Sequence, residues 1–169
     1  MILKNVLKAM RVPKYIQDFM GKDFRIVEGV NVRFNLADFE DSDFDCQLED
    51  KKGCYIISSP NKKFEYAKGK SPVIYIGMSD HLYRRLHDEH YGKYLKVLIN
   101  DKNFGLKTNR IRQLPDRYQY MYWWGAVVDV FYCKGNQSEK EFESSLIANF
   151  YYKYRCMPVG NGARSFSQK

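Results

Sequence analysis

The chain has 169 residues, of which 44% are hydrophobic and 16% aromatic, so a disordered chain is excluded and one domain with a proper core is expected. The formal net charge is +8, and residues 51–169 carry 21 basic and 10 acidic side chains, a surplus of 11 positive charges. Such a surplus favours a polyanionic partner over a membrane. No apolar run approaches membrane-spanning length, and lysines interrupt the first ten residues, unlike a signal peptide.

Four cysteines are present, and their spacing predicts neither a C-x-x-C pair nor a zinc site. They are Cys46, Cys54, Cys133 and Cys156. Three of them lie in apolar or aromatic stretches, where free thiols are expected to be buried. A reducing cytoplasm is therefore the expected location.

The first 50 residues predict an N-terminal elaboration that precedes the core. Apolar residues recur with helical spacing from 2 to 10, which predicts an amphipathic helix. Pro13 can begin a second short helix that ends near Gly21. Residues 24–36 alternate loosely and predict a pair of strands that turns at Glu28 and Gly29.

An acidic segment, residues 36–50, contains seven acidic and no basic side chains. Its alternating aspartates, from 41 to 45, superficially resemble a calcium loop. However, Cys46 occupies the position where such a loop needs glycine, and Lys52 the position where it needs glutamate. Calcium binding is excluded, and a solvated loop is predicted. The alternative is that this segment competes with a polyanion for the basic surface.

Two short apolar runs, residues 53–57 and 72–76, predict the first strands of the core. Between them, residues 58–71 form a polar connection that carries four lysines. These are Lys62, Lys63, Lys68 and Lys70. They are expected either to contact a nucleic-acid backbone or simply to solvate a hairpin.

A helix is predicted after the second strand, which Gly77 should end, with Ser79 or Asp80 as the cap. Leu82 and Leu86 share one face of this helix. Between them lie two arginines, Arg84 and Arg85. Arginine offers a planar set of donors that matches phosphate oxygens, although ordinary solvated arginines would look the same. The helix is expected to continue to residue 101. The histidines His81, His87 and His90 are expected at its surface or as accessory groups, not as a zinc site.

Residues 102–117 predict a basic loop, whose nucleic-acid contacts would include Lys107, Arg110 and Arg112. Residues 118–133 are aromatic and β-branched, which predicts a strand. Within it, Gly125 is expected to mark a bulge and Asp129 to face outward.

The last long helix is predicted to follow a turn at Gly135 and Asn136 and to begin with a capping box formed by Ser138 and Glu141. Its apolar stripe comprises Phe142, Leu146, Ile147, Phe150 and Tyr154. Glu143 lies at the edge of this stripe. A carboxylate there needs either a basic partner or a metal ion.

Several of these pieces, in this order, resemble the GIY-YIG nuclease family. Residues 53–55 read GCY where that family has GIY, and residues 75–77 read YIG. Arg85 follows Gly77 by eight residues, as the catalytic arginine does in the family. Glu143 resembles the metal-binding glutamate, and Pro158 and Asn161 resemble the closing proline and asparagine. The resemblance covers residues 53–161.

Three departures from the family pattern are visible. Cys54 replaces the middle isoleucine of the first motif. Twenty positions separate Tyr55 from Tyr75, which indicates an insertion between the first two strands. Many members have histidine or tyrosine four residues after the arginine, whereas Glu89 stands there in this chain. Either His90 takes that role from a shifted helix, or the role is vacant.

The resemblance implies an α+β fold with a small, mainly antiparallel three-stranded sheet flanked by helices, at residues 51–161. A C-terminal tail, residues 162–169, would follow. It also implies catalytic roles for Tyr55, Tyr75, Arg85 and Glu143, with accessory roles for His90 and Asn161. Glu143 would hold Mg²⁺ or Mn²⁺, Arg85 would bind a phosphate oxygen, and Tyr55 would take the proton from water.

The expected function is metal-dependent cleavage of DNA by a restriction-type endonuclease that reads bases with inserted loops. A repair or mobile-element nuclease that recognises DNA structure is the alternative within that class. Two other classes stay open: a non-catalytic basic nucleic-acid-binding module, and an interaction domain for an acidic protein. If both strands are cut at one place, antiparallel strands and a single metal site per chain favour a homodimer.

Overall fold

The computed structural model describes residues 9–21, 27, 29–41, 44–93 and 115–162. The helices are α1 (Lys14–Met20), a 3-10 helix (Leu36–Asp41), α2 (Phe44–Leu48), α3 (Leu82–Arg84), a π-helix (Arg85–Tyr91), α4 (Asp116–Trp124) and α5 (Glu139–Tyr154). The strands are β1 (Val32–Asn35), β2 (Gly53–Ser58), β3 (Phe64–Tyr66), β4 (Gly69–Ser71), β5 (Val73–Ser79) and β6 (Val127–Tyr132). None of the described helices is long and apolar enough to cross a membrane.

The main sheet has four antiparallel strands in the order β1-β6-β2-β5, and β3 and β4 form a separate hairpin. The predicted α+β class and antiparallel sheet are confirmed, but the predicted count of three strands is wrong. The additional strand is β1, which pairs with β6 so that Val32 lies opposite Val130. Its alternating burial, with Val32 and Phe34 inside, makes it a suitable edge strand.

Strand β2 lies at the centre and is buried at every position. One face of the sheet carries Tyr55 and Ile57 and packs against the π-helix and α4. The other face carries Cys54 and Ile56 and packs against α1 and α5. Helices cover both faces of the sheet, which explains why the sequence of β2 is a continuous apolar run.

The acidic segment is not the solvated loop that was predicted. Its described residues form the 3-10 helix and α2. Leu36, Phe39 and Leu48 are 0%, 1% and 0% exposed, so burial of these three apolar side chains holds the segment on the core.

The predicted strand over residues 118–133 is also wrong in its first half, which forms α4. Tyr118 and Met121, three residues apart, are both buried on one face of that helix, and such packing overrides the β propensity of aromatic residues. Gly125 ends the helix with φ of 78° and its N–H bonds the Met121 carbonyl at 2.9 Å; it is not a bulge.

The outward orientation predicted for Asp129 is wrong, since this residue is 0% exposed. Asp129 lies opposite Ile56 in the sheet and therefore shares the face that α1 covers. The strand predicted at residues 72–76 does not end at Gly77 either, because this strand, β5, continues to Ser79. A Cβ at Gly77 would lie 2.5 Å from the Tyr55 hydroxyl oxygen, so glycine makes room for that side chain.

Other predictions are confirmed. Helix α1 follows Pro13 and ends at Gly21, and a turn lies at Gly135 and Asn136. Ser138 caps α5 by accepting a hydrogen bond from the Glu141 N–H at 3.3 Å, and the whole predicted apolar stripe is buried. Two predictions lie mostly outside the described residues. They are the helix at residues 2–10 and the strand at residues 24–28 that was predicted to pair with β1.

Candidate active site

A chain of three buried polar side chains crosses the core beside the sheet. His90 of the π-helix is 1% exposed. Its Nε2 lies 2.6 Å from the hydroxyl of Tyr55 in β2, and its Nδ1 lies 3.1 Å from the hydroxyl of Tyr118 in α4. Both ring nitrogens are therefore bonded to phenols. We call these three residues the phenol–imidazole cluster.

The π-helix explains how His90 reaches Tyr55. In a π-helix the N–H of residue i+5 bonds the carbonyl of residue i, so each turn holds one more residue than in an α-helix. Arg85 and His90 are five residues apart, and both bond the Tyr55 hydroxyl, with Arg85 Nε donating at 3.3 Å. Of the two sequence alternatives, His90 thus lies where a shifted helix would place the accessory residue.

Burial and surrounding charge keep the His90 ring neutral. Desolvation, together with the positive charges of Arg85, Arg117 and Lys93, lowers the pKa of His90 to about 3. A neutral imidazole has one donor and one acceptor nitrogen. Because each neighbour is a hydroxyl, the direction of both hydrogen bonds depends on which nitrogen carries the proton.

Tyr55 is completely buried in this arrangement. Burial first, and then the neighbouring Tyr75 phenol, raise the pKa of Tyr55 well above its usual value, although Arg85 opposes this. The ring of Tyr75 is 6.1 Å from that of Tyr55 and is itself 8% exposed. Tyr55 is therefore a neutral phenol here, held beneath the more accessible Tyr75 and Arg85.

Arg85 bridges the cluster and the surface. Its Nε bonds Tyr55, while its Nη1 forms an ion pair with Glu89 one turn further along. The guanidinium side chain is 33% exposed. Arg84 is exposed and has no hydrogen bond to Tyr55 or to another described residue of the core. The side chains of the two adjacent arginines therefore point in different directions, as expected for a helix on which at least one of them points away from the leucine face.

Arg117 was placed in a loop by the sequence, but it lies in α4 beside the cluster. Its guanidinium carbon is 5.2 Å from the ring centre of Tyr75 and 5.1 Å from that of Tyr118. Its Nε is buried and has no hydrogen-bond partner among the described residues. The signal that could have found it is Pro115 followed by Asp116, a typical helix start, which puts Tyr118 on the buried face.

Glu143 is half-buried in α5, whose apolar side chains pack on the other face of the sheet, and its carboxylate lies within electrostatic range of Arg85. It forms no hydrogen bond or ion pair with any residue in the described ranges. Burial raises the pKa of Glu143, and the positive charge of Arg85 opposes the increase. A half-buried carboxylate without such a partner fits a divalent cation that needs few protein ligands. Among the described residues, those around Glu143 included, no three metal-binding side chains come together, so Glu143 would be a lone protein ligand.

Asn161 positions the edge strand. Its Oδ1 accepts from the Ile76 N–H at 2.9 Å, and its Nδ2 donates to the Ile76 carbonyl at 2.7 Å. Its amide thus bonds β5 as a neighbouring strand would, next to Gly77. It is a positioning residue in this structure.

The described basic residues that were predicted to contact nucleic acid lie in the loop after β2, on the β3–β4 hairpin and on the first turn of the helix after β5. Lys62 and Lys63 line a cavity together with Arg33, whereas Lys70 pairs with Glu65 at 2.7 Å on the β3–β4 hairpin. Lys68 lies at the turn of the same hairpin. Arg84, also predicted to contact nucleic acid, is exposed on α3, and the remaining three, Lys107, Arg110 and Arg112, lie outside the described residues.

Comparisons with protein-family models, curated proteins and solved structures find no match to this chain.

Proposed function

We propose that this chain is a metal-dependent DNA endonuclease with a GIY-YIG-like core at residues 53–161. One observation carries the proposal: Arg85 Nε and His90 Nε2 converge on the Tyr55 hydroxyl, at 3.3 Å and 2.6 Å. A phenol, a guanidinium and a neutral imidazole from two separate elements thus meet next to Gly77. Perturbed groups gathered in this way are typical of a catalytic centre.

Arg85 is assigned to the scissile phosphate. Its fixed charge neutralises a phosphate oxygen and the additional charge of the transition state. In the structure its exposed side is occupied by Glu89. A phosphate that takes the place of Glu89 would therefore bind without disturbing the bond between Arg85 and Tyr55.

Tyr55 is assigned to the proton of the attacking water, which requires a phenolate. A phenolate is stabilised when its oxygen accepts hydrogen bonds. Arg85 supplies one donor, and His90 supplies a second if its proton is on Nε2. In that tautomer the Tyr118 hydroxyl can donate to Nδ1 at 3.1 Å, so the second ring nitrogen is also satisfied. Tyr55 is 0% exposed, so we expect a covering side chain other than Arg85 to move when phosphate binds and to admit water.

Glu143 would hold the divalent cation. When bound, Mg²⁺ or Mn²⁺ stabilises negative charge on the leaving oxygen and the transferred phosphate. The protein's own contribution there is one carboxylate whose charge is not already paired with a described basic group. Tyr75, stacked under Arg117, would position the phosphate beside Arg85.

A nucleic-acid substrate is favoured by charge, since residues 51–169 carry a surplus of 11 positive charges, and DNA is proposed because of the resemblance to the nuclease family. A restriction-type enzyme and a structure-selective repair or mobile-element nuclease are both consistent with this assignment. Cleavage of both strands at one place would require a homodimer.

A non-catalytic nucleic-acid-binding module is the second candidate. It is favoured by the complete burial of Tyr55 and by the ion pair that holds Arg85 to Glu89. In that case DNA binding would depend on salt but not on metal, and no strand would be cut.

The two adjacent arginines provide a matched test. Supercoiled plasmid is incubated with Mg²⁺ or Mn²⁺ and wild-type protein, Arg85→Ala or Arg84→Ala, with EDTA as the metal-free control. We expect Arg85→Ala to lower the cleavage rate at least ~100-fold, as removal of a transition-state donor does. Arg84→Ala should change it only slightly, and EDTA should abolish cleavage. Equal losses in the two variants would contradict the role of Arg85, and no cleavage by wild type would favour the binding module.

A further inference from the structure

The C-terminal end of α4 carries an exposed aromatic surface. Trp123 is 51% and Trp124 38% exposed, and they are the only two tryptophans in the chain. Large aromatic side chains are usually buried, because exposure costs their hydrophobic free energy. Two adjacent exposed tryptophans therefore indicate a surface that binds something.

A cation is fixed against this surface. Lys62 Nζ lies 5.1 Å above the centre of the Trp124 ring. The loop that carries Lys62 is tied to the end of α4, because Ser59 Oγ donates to the Trp124 carbonyl at 2.7 Å and Asn61 Nδ2 donates at 3.3 Å. We call Lys62, Trp123 and Trp124 the tryptophan ledge.

Residues of the ledge line two cavities of different character. One, of ≈ 400 Å³, is lined by the cationic side chains of Arg33, Lys62 and Lys63. The other, of ≈ 430 Å³, is lined by Trp123, Trp124 and their neighbours Asp116, Gln119 and Tyr120. A polyanion would contact the first cavity, while Asp116 would keep its phosphates away from the second. Flat, uncharged groups fit the aromatic cavity.

We propose that the tryptophan ledge binds a single strand of nucleic acid, with unpaired bases on Trp123 and Trp124 and phosphates toward Lys62, Lys63 and Arg33. Aromatic rings stack on any base, and a basic groove follows the backbone, but bases in a duplex are already stacked on each other. An acidic protein, the alternative partner, would bind the basic side chains but would leave the tryptophans exposed to solvent.

The tryptophans of the ledge lie on the same helix as two residues of the candidate active site. Helix α4 carries Arg117 and Tyr118 at its beginning and the tryptophans at its end. Tyr118 and Trp123 are five residues apart, roughly 7.5 Å along a helix axis. The inference rests on the proposed function in that it takes nucleic acid as the partner. It adds that DNA with an unpaired strand near the cut is the preferred form.

Intrinsic tryptophan fluorescence tests the ledge directly, because both tryptophans lie in it. A 12-nucleotide oligo(dT) is titrated into the protein in EDTA and low salt, so that no cleavage is needed. We expect saturable quenching that weakens as salt is added, and much weaker quenching with the same strand paired to oligo(dA). Equal quenching by the duplex, or none by oligo(dT), would overturn the proposal.

Variants separate stacking from charge. By fluorescence anisotropy of labelled oligo(dT), Trp123→Leu should weaken binding about tenfold or more, the loss expected for one base–aromatic stack. Lys62→Gln should also weaken it, whereas Lys140→Gln, the same change at an exposed position of α5, should weaken it less. Equal affinities of wild type and Trp123→Leu would overturn the stacking role, with folding checked by circular dichroism.

Two other outcomes are distinguishable. If the emission of the protein alone shifts with its own concentration and oligo(dT) does not compete, the ledge is a contact between two copies, and the proposal is wrong. If oligo(dT) quenches but plasmid is never cut, the ledge is supported and the nuclease proposal fails. Cleavage of plasmid without quenching by oligo(dT) would reject the ledge alone.

Discussion

The two faces of the central sheet bury polar groups in different ways. On one face, His90 of the phenol–imidazole cluster uses both ring nitrogens, at 2.6 Å from Tyr55 and 3.1 Å from Tyr118. On the other face, Asp129 accepts from the Tyr15 hydroxyl at 3.2 Å through Oδ2 and lies 3.5 Å from Arg33 Nε through Oδ1. Asp129 Oδ1 is buried without a hydrogen-bond partner among the described residues.

This difference shows how much free energy it costs to bury a histidine ring and how much it costs to bury a carboxylate. A neutral imidazole between two phenols loses little on leaving water, because its hydrogen bonds are replaced. A buried carboxylate keeps a desolvation cost that one ion pair at 3.5 Å does not fully offset. Accordingly, burial lowers the pKa of His90 to about 3 and raises the pKa of Asp129 to about 6. Both groups are driven toward neutrality, so they affect stability with opposite dependence on pH.

The largest expected effect concerns His90. An unfolded histidine takes up a proton near pH 6.5, but the folded cluster resists protonation down to about pH 3. Between these values the unfolded chain binds more protons, so the free energy of unfolding should fall as pH falls, by roughly 3–5 kcal/mol in total. Urea unfolding of wild type and His90→Gln at several pH values measures the difference.

The matched control for that experiment is His87→Gln, because His87 is half-buried and bonded to Asp88 at the surface. His87→Gln should keep the steep dependence of wild type, and His90→Gln should lose it. Identical pH dependence in wild type and His90→Gln would mean that His90 is not held neutral by the cluster.

Tyr118→Phe should have the next largest effect. Without the Tyr118 hydroxyl, the buried Nδ1 of His90 loses its hydrogen-bond partner, which destabilises the tautomer that donates to Tyr55. We expect plasmid cleavage to slow by about 10- to 100-fold and the free energy of unfolding to fall by about 1–2 kcal/mol. The apparent pKa of Tyr55 in the pH–rate profile should rise, because its phenolate loses a donor.

Tyr122→Phe, in the same helix, is the control for loss of a hydroxyl. A purely structural role for Tyr118 would lower stability and leave the pH–rate profile unchanged, and that result would contradict the positioning role.

The smallest expected effect comes from Asp129→Asn. Between about pH 4 and 6 the folded chain holds a proton on Asp129 that the unfolded chain has lost, so wild type loses stability as pH rises through this window. Asparagine carries no charge, so the variant avoids the free-energy cost of burying one. This gain in stability is partly offset by the loss of the ion pair with Arg33. Asp129→Asn should therefore be more stable than wild type by about 1–2 kcal/mol at pH 8 and no more stable at pH 4. Thermal unfolding at both pH values measures this, and a less stable variant at pH 8 would show that the ion pair outweighs the burial cost.

The sequence predicted the parts of the fold that depend on local patterns. The apolar run of β2, the start of α1 at Pro13 and the capping box of α5 each follow from neighbouring residues. Asp129 could not be placed correctly, because its burial depends on α1, which lies more than 100 positions earlier in the chain. Aromatic content misled the assignment of residues 118–124, where packing decides in favour of a helix.

The candidate site was predictable in its residue types and only partly in its geometry. Tyr55, Tyr75, Arg85 and Glu143 were identified through the resemblance of their motifs to a nuclease family, and their catalytic roles stay predictions. The position of His90 depends on one π-helical segment, which a pattern of α-helical spacing does not reveal. Arg117 and Tyr118 were missed as site residues because they belong to a helix that was read as loop and strand.

Glu143 offers the most direct test of the proposed metal-dependent cleavage. Wild type and Glu143→Ala are compared for nicking of supercoiled plasmid in Mg²⁺, with and without EDTA, and for DNA affinity by fluorescence anisotropy. Wild type should nick the plasmid only with metal, whereas Glu143→Ala should bind DNA nearly as well and fail to nick it. Full nicking by Glu143→Ala, or nicking by wild type in EDTA, would contradict the account.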